Sequence, residues 1–79
     1  MDSKWLVFDL ILREKDRKTD RWLVNKKETE ELLGEVRWFG RWRQYCYFPE
    51  PGVDVVLAAS CLEDLAEFIQ KRMQERRVR

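Results

Sequence analysis

Between Ser60 and Met73, the residues Leu62, Leu65, Ala66, Ile69 and Met73 recur at intervals of three and four. That spacing puts them on one face of an amphipathic helix and predicts a helix over about residues 61–76, with Phe68 flanking the stripe. Ser60 and Glu63 fit a capping box, in which the serine hydroxyl takes a backbone N–H and the glutamate reaches back. Acidic residues near the start and basic residues near the end suit the helix dipole. An apolar helical face must be buried against another layer. The segments that precede it read as strands, so that layer is expected to be a sheet.

Residues 5–12, WLVFDLIL, are β-prone, with Leu6, Phe8, Leu10 and Leu12 alternating onto one face and Trp5, Val7, Asp9 and Ile11 onto the other. Both faces are largely apolar, as in an interior strand or one covered on its second side. Asp9 is the odd residue there, and it is expected on the exposed face or paired with a basic residue of a neighbouring strand. Residues 13–20, REKDRKTD, read as a hairpin connection. Residues 21–25, RWLVN, form a short second strand with Trp22 and Val24 on one face. KKETEE then breaks the apolar pattern as a loop.

The segment 34–49, GEVRWFGRWRQYCYFP, is the most specific stretch of the chain. It places a third strand over 32–39 and a fourth over 42–48, with Gly40 giving the turn a permissive backbone. A three-residue loop at 39–41 sets Trp38 opposite Trp42 and aligns Val36, Trp38, Trp42, Cys46 and Phe48 inward. A two-residue loop at 40–41 would mix Glu35, Arg37 and Gln44 into that face. Burying ionised Glu35 and Arg37 without partners is costly, which favours the three-residue loop. Pro49, Pro51 and Gly52 end the strand, and residues 53–57 are a candidate fifth. The expected fold is α+β: an antiparallel meander sheet of four to five strands with one C-terminal amphipathic helix packed on one face.

Seventy-nine residues make one domain, residues 1–79. The basic tail 74–79 is expected to fray. Charged residues are 39% of the chain but the net charge is only +1, which argues against a bulk polyelectrolyte binder. The charge is a mosaic: 0 over 1–31, +2 over 32–48, −5 over 49–69 and +4 over 70–79. Cys46 and Cys61 form no CxxC and read as reduced, packed thiols of a cytoplasmic protein. No membrane span and no signal peptide are expected.

The chain has no histidine, which removes the commonest general base and metal ligand. Two isolated cysteines do not make a zinc site. Three scattered glycines make no phosphate loop. Glu63, Asp64 and Glu67 read as the solvated start of the helix. No catalytic residue, cofactor or metal is therefore assigned, and the chain is expected not to be an enzyme. In the favoured register the outer face of the hairpin shows Glu35, Arg37, Arg43, Tyr45 and Tyr47. With Arg41 in the turn, the candidate interaction face is Arg37, Arg41, Arg43, Tyr45 and Tyr47. Tyr and Arg anchor protein interfaces, and they also stack on bases and hold phosphates. Ordinary cross-strand pairing on an exposed sheet is the third reading of the same residues.

The positions Leu33, Gly34, Val36, Trp38, Trp42, Arg43, Gln44, Tyr45, Phe48 and Pro49, followed by Cys61, Leu62, Leu65, Phe68 and Ile69, make a recognisable pattern. It resembles a signature of small uncharacterised bacterial and phage proteins, LGx[IV]xWxxxWRQYxFxP followed by a C[LM]xx[IL]xxF[IL] helix, with Tyr47 where that signature has Phe or Tyr. The resemblance implies a bacterial or mobile-element setting and carries no activity to transfer. The sheet-then-helix order is also similar to AP2-like and integrase arm-type DNA-binding modules, at the level of fold analogy. The expected function is thus a non-catalytic protein-interaction module, with a protein partner or a second copy of the chain. The alternative is a nucleic-acid-binding module using the Arg/Tyr face.

Overall fold

The computed structural model describes residues 5–11 and 18–77, with the backbone alone at Arg77. Four strands precede one helix: β1 (Leu6–Ile11), β2 (Arg21–Lys26), β3 (Leu32–Phe39), β4 (Gln44–Pro49) and α1 (Ala59–Arg77). The sheet order is β1-β2-β3-β4 with every neighbour antiparallel, so the meander and its C-terminal helix are as the pattern predicts. Residues 53–57 form no strand; Val55 and Leu57 pack against the core instead. Pro49 has no N–H to offer the next strand, and the Pro51–Gly52 turn leads the chain away. Of the expected connection 13–20 and frayed tail 74–79, residues 13–17 and 78–79 lie outside the described residues, while the helix continues through Arg77.

The β3–β4 hairpin corrects the expected register. Phe39 pairs with Gln44 and Trp38 with Tyr45, so the loop holds four residues, Gly40 to Arg43. The N–H of Trp42 donates to the Phe39 carbonyl and that of Arg43 to the Gly40 carbonyl, making two successive turns. Arg43, with φ 53°, takes the left-handed conformation expected of Gly40. A loop one residue longer reverses every β4 side chain. Glu35 and Arg37 do point away from the helix, and Val36 and Trp38 toward it. On β4, however, Tyr45 and Tyr47 face the helix, while Cys46 and Phe48 face out. Trp42 does not join Trp38 in the core; it stands in the turn, 64% exposed.

Turning two tyrosines inward, Tyr45 buried and Tyr47 partly buried, is tolerable because both hydroxyls find partners. Tyr47 donates to the Leu33 carbonyl, and the Tyr45 hydroxyl accepts the N–H of Asp20. A bulge completes this side of the sheet. Val24 pairs with Gly34 but Asn25 pairs with Leu32, so Leu33 is the extra residue of β3 and is buried. Gly34 has φ 151°, and a Cβ there would lie 2.2 Å from the Phe48 carbonyl oxygen. Only glycine lets β4 approach so closely.

The core comprises Leu6, Trp22, Val24, Leu33, Val36, Tyr45, Leu65 and Phe68. Phe68 stacks on Phe8 with ring centroids 3.9 Å apart, and its ring meets Trp22 edge-on. The helix crosses the sheet from corner to corner. Near its start the Asp64 carboxylate accepts the Trp5 N–H at 2.8 Å. Near its end the Met73 sulfur accepts the Tyr45 N–H, and Arg76 lies 4.3 Å from the Trp38 ring centre. The buried stripe centres on Leu65 and Phe68, leaving Leu62 and Ala66 exposed. Leu62 N–H already donates to the Ala58 carbonyl, so Ser60 sits inside the first turn and the expected capping box is not formed.

Candidate interaction face

One side of the sheet is covered by α1, and the other is uncovered among the described residues. The uncovered side carries Val7, Asp9 and Ile11 from β1, Arg21, Leu23 and Asn25 from β2, Glu35, Arg37 and Phe39 from β3, and Gln44, Cys46 and Phe48 from β4. Asp9 is exposed there, as expected, and accepts from the Asn25 side-chain amide at 3.3 Å rather than pairing with a cation.

Glu35 organises the middle of this face. Both its oxygens accept from Arg21 Nη2 at 2.8 Å, and Oε1 also forms an ion pair with Arg37, its Nε 3.2 Å away. The carboxylate side chain is only 18% exposed beneath the two guanidinium groups. Two cations thus share one anion. The Arg37 guanidinium carbon also lies over the Phe48 ring, 3.9 Å from its centre. Phe48 contacts Phe39 at 6.0 Å, and Phe39 meets the Trp42 ring edge-on at 5.0 Å. An aromatic run therefore leads from the sheet to the hairpin tip, where Arg41 and Arg43 flank Trp42 in solvent.

Of the five residues expected to share a face, Arg37 lies on it and Arg41 and Arg43 border it. Tyr45 and Tyr47 lie on the helix side, so the Arg/Tyr surface does not exist as one surface. The sequence reading missed Arg21, Phe39 and Phe48. A clue was available: a four-residue loop also keeps Glu35 and Arg37 out of the core, and a tyrosine can bury its ring at a sheet rim and still reach a carbonyl.

Both cysteines are free. The Cys46 thiol weakly contacts the Gln44 carbonyl, 3.8 Å away, and burial pushes its pKa up, away from the reactive thiolate. No group of three or more His, Cys, Asp or Glu residues suited to a metal occurs among the described residues. Of the clefts, one of about 170 Å³ is lined by Trp5, Lys26, Lys27, Glu28 and Cys61, and another of about 330 Å³ by Gln44, Ile69, Gln70, Met73 and Gln74. Neither brings two carboxylates together. No helix is long and apolar enough to cross a membrane.

Comparison with known proteins gave no match: no family model, no curated protein and no solved structure is similar to this chain.

Proposed function

We propose that this chain is a non-catalytic protein-interaction module of a bacterial or mobile-element protein, docking its partner on the uncovered sheet face. The partner presents apolar side chains beside acidic groups. The observation that carries this reading is the sharing of Glu35 by Arg21 and Arg37, with Arg37 over the Phe48 ring. Around Glu35 one carboxylate meets two guanidinium groups, so the part of the face beside the Phe48 ring carries local positive charge, balanced by Asp9 on the β1 side; an acidic group of the partner complements that positive part. Aromatic and arginine side chains are enriched where proteins bind one another. A carboxylate at the centre of the face disfavours a track of phosphates, and the two tyrosines that would have stacked bases point the other way.

Selection of peptides from a random library on the immobilised chain tests the reading. Enriched peptides are expected to combine Asp or Glu with aromatic or aliphatic residues. They are expected to lose at least tenfold in affinity for Phe48→Asp and Arg37→Glu. Failure to enrich any sequence, or peptides that bind Phe48→Asp unchanged, would remove it.

Trp42 between Arg41 and Arg43 favours a second reading, single-stranded nucleic acid held at the hairpin tip. A low-salt oligonucleotide titration separates the two. Binding that falls steeply with salt and is lost in Trp42→Ala would replace the protein reading.

A further inference from the structure

The two edges of the sheet are unlike. On β4 the Tyr45 N–H points outward and is taken by the Met73 sulfur, while the Glu50 N–H just beyond the strand points inward to Leu33. The peptide groups of the odd-numbered residues of β4 therefore point to its outer edge. Its outer edge offers a capped N–H at Tyr45, an open one at Tyr47, and none at Pro49. A sulfur cap and a proline blunt that edge.

Among the described residues, the β1 edge has no such protection. Lys27 N–H donates to the Trp5 carbonyl, so odd residues of β1 bond to β2 and the peptide groups of Leu6, Phe8 and Leu10 point outward. Among the described residues, no hydrogen bond reaches those outward groups. The strand contains no proline, lysine or bulge over 6–11, and its one charge, Asp9, is directed onto the uncovered face. The helix covers Leu6, fully buried, but its diagonal course leaves Leu10 at the far end of the same strand 58% exposed.

We propose that two copies of this chain pair their β1 strands antiparallel across a two-fold axis at Phe8, joining the sheets into one of eight strands. In that register Phe8 faces Phe8 of the second copy, Leu6 faces Leu10, and Val7 faces Asp9. No like charges meet. Each of the three outward residues exchanges its N–H and C=O with the other copy. The exposed Leu10 comes to lie beside the helix-covered Leu6 of its mate, so the copy supplies the cover that the chain's own helix does not. A second copy fits the vacant edge because an isologous pairing uses one patch twice and closes. The pairing also makes the two uncovered faces continuous. One face spans roughly 400 Å² in projection, about half of what one partner of a standard interface contributes.

The test is sedimentation equilibrium of the full chain together with amide hydrogen exchange. The expected result is a concentration-dependent dimer in which the Phe8 and Leu10 amides are protected at least tenfold more at high concentration, while the Tyr47 amide is not. Leu10→Pro removes an outward N–H that no bond within the chain uses, and it is expected to be monomeric. Leu10→Lys is the second variant, should the proline disturb folding, and it is expected to weaken the dimer at least tenfold. A chain monomeric at every concentration overturns the proposal. So does a dimer whose protection maps to β4, or one dissolved by Phe48→Asp and left intact by both Leu10 variants. A strand from a different protein found on β1, with no dimer of the chain alone, overturns it as well. Because the pairing leaves Phe48 and Arg37 free, its failure and that of the docking face are read separately.

Discussion

The Tyr47 hydroxyl donates to the Leu33 carbonyl oxygen at 2.5 Å, tying the middle of β4 to the bulge of β3. The same carbonyl accepts the Glu50 N–H at 3.0 Å. Tyr47→Phe removes one of two donors and leaves the carbonyl paired. The expected loss is about 1 kcal/mol, read from urea denaturation with an unchanged m-value.

Burial raises the pKa of the Tyr47 phenol above 10.0 and that of the Cys46 thiol above 9.0. Each folded form holds its proton more tightly than the unfolded chain. Their stabilisation is therefore fully present below those unfolded values and is lost as pH rises through the folded ones. The melting temperature is expected to fall progressively above about pH 9. The double variant Cys46→Ser, Tyr47→Phe is expected to flatten that slope.

Gly34 tests the close approach of β4 to the bulge. A Cβ there meets backbone atoms, the Phe48 carbonyl oxygen and Pro49 Cα, which cannot swing aside as a flexible side chain would. Gly34→Ala is expected to cost on the order of 3 kcal/mol. Gly40→Ala, where nothing lies within 4 Å of the added carbon, is expected to change stability by less than about 0.5 kcal/mol. Thermal denaturation of the two variants side by side checks both.

The tryptophans divide by environment. Trp22 is buried against Phe68 and Tyr45, so Trp22→Ala is expected to cost about 3–5 kcal/mol or prevent folding. Trp42 contacts Phe39 alone among the ring pairs and stands in solvent, so Trp42→Ala is expected to cost under about 1 kcal/mol. Acrylamide quenching that falls in Trp42→Ala would confirm that this ring is open to water, with exposed Trp5 accounting for quenching that remains.

Much of the architecture was legible in the residues. The short β-prone apolar runs of β1 and β2, the charged interruption at 26–31, and the three-and-four spacing after Ser60 specify strands and helix locally. That Glu35 and Arg37 face outward followed from the cost of burying charge. The candidate face was legible only on β3. On β4 the two faces offer Tyr45 and Tyr47 against Cys46 and Phe48, and no difference in polarity separates pairs so nearly equal in apolar bulk.

Sequence alone determined the order of elements, the α+β class and the inward side of β3, because those depend on spacing and on charge. Tertiary structure decided the side on which β4 presents each residue, and with it the composition of the uncovered face. The reason is that a strand's parity depends on the length of its turn. Here the turn length was settled by distant groups: the Leu33 carbonyl and the Asp20 N–H waiting for tyrosine hydroxyls, and the Met73 sulfur waiting for the Tyr45 N–H.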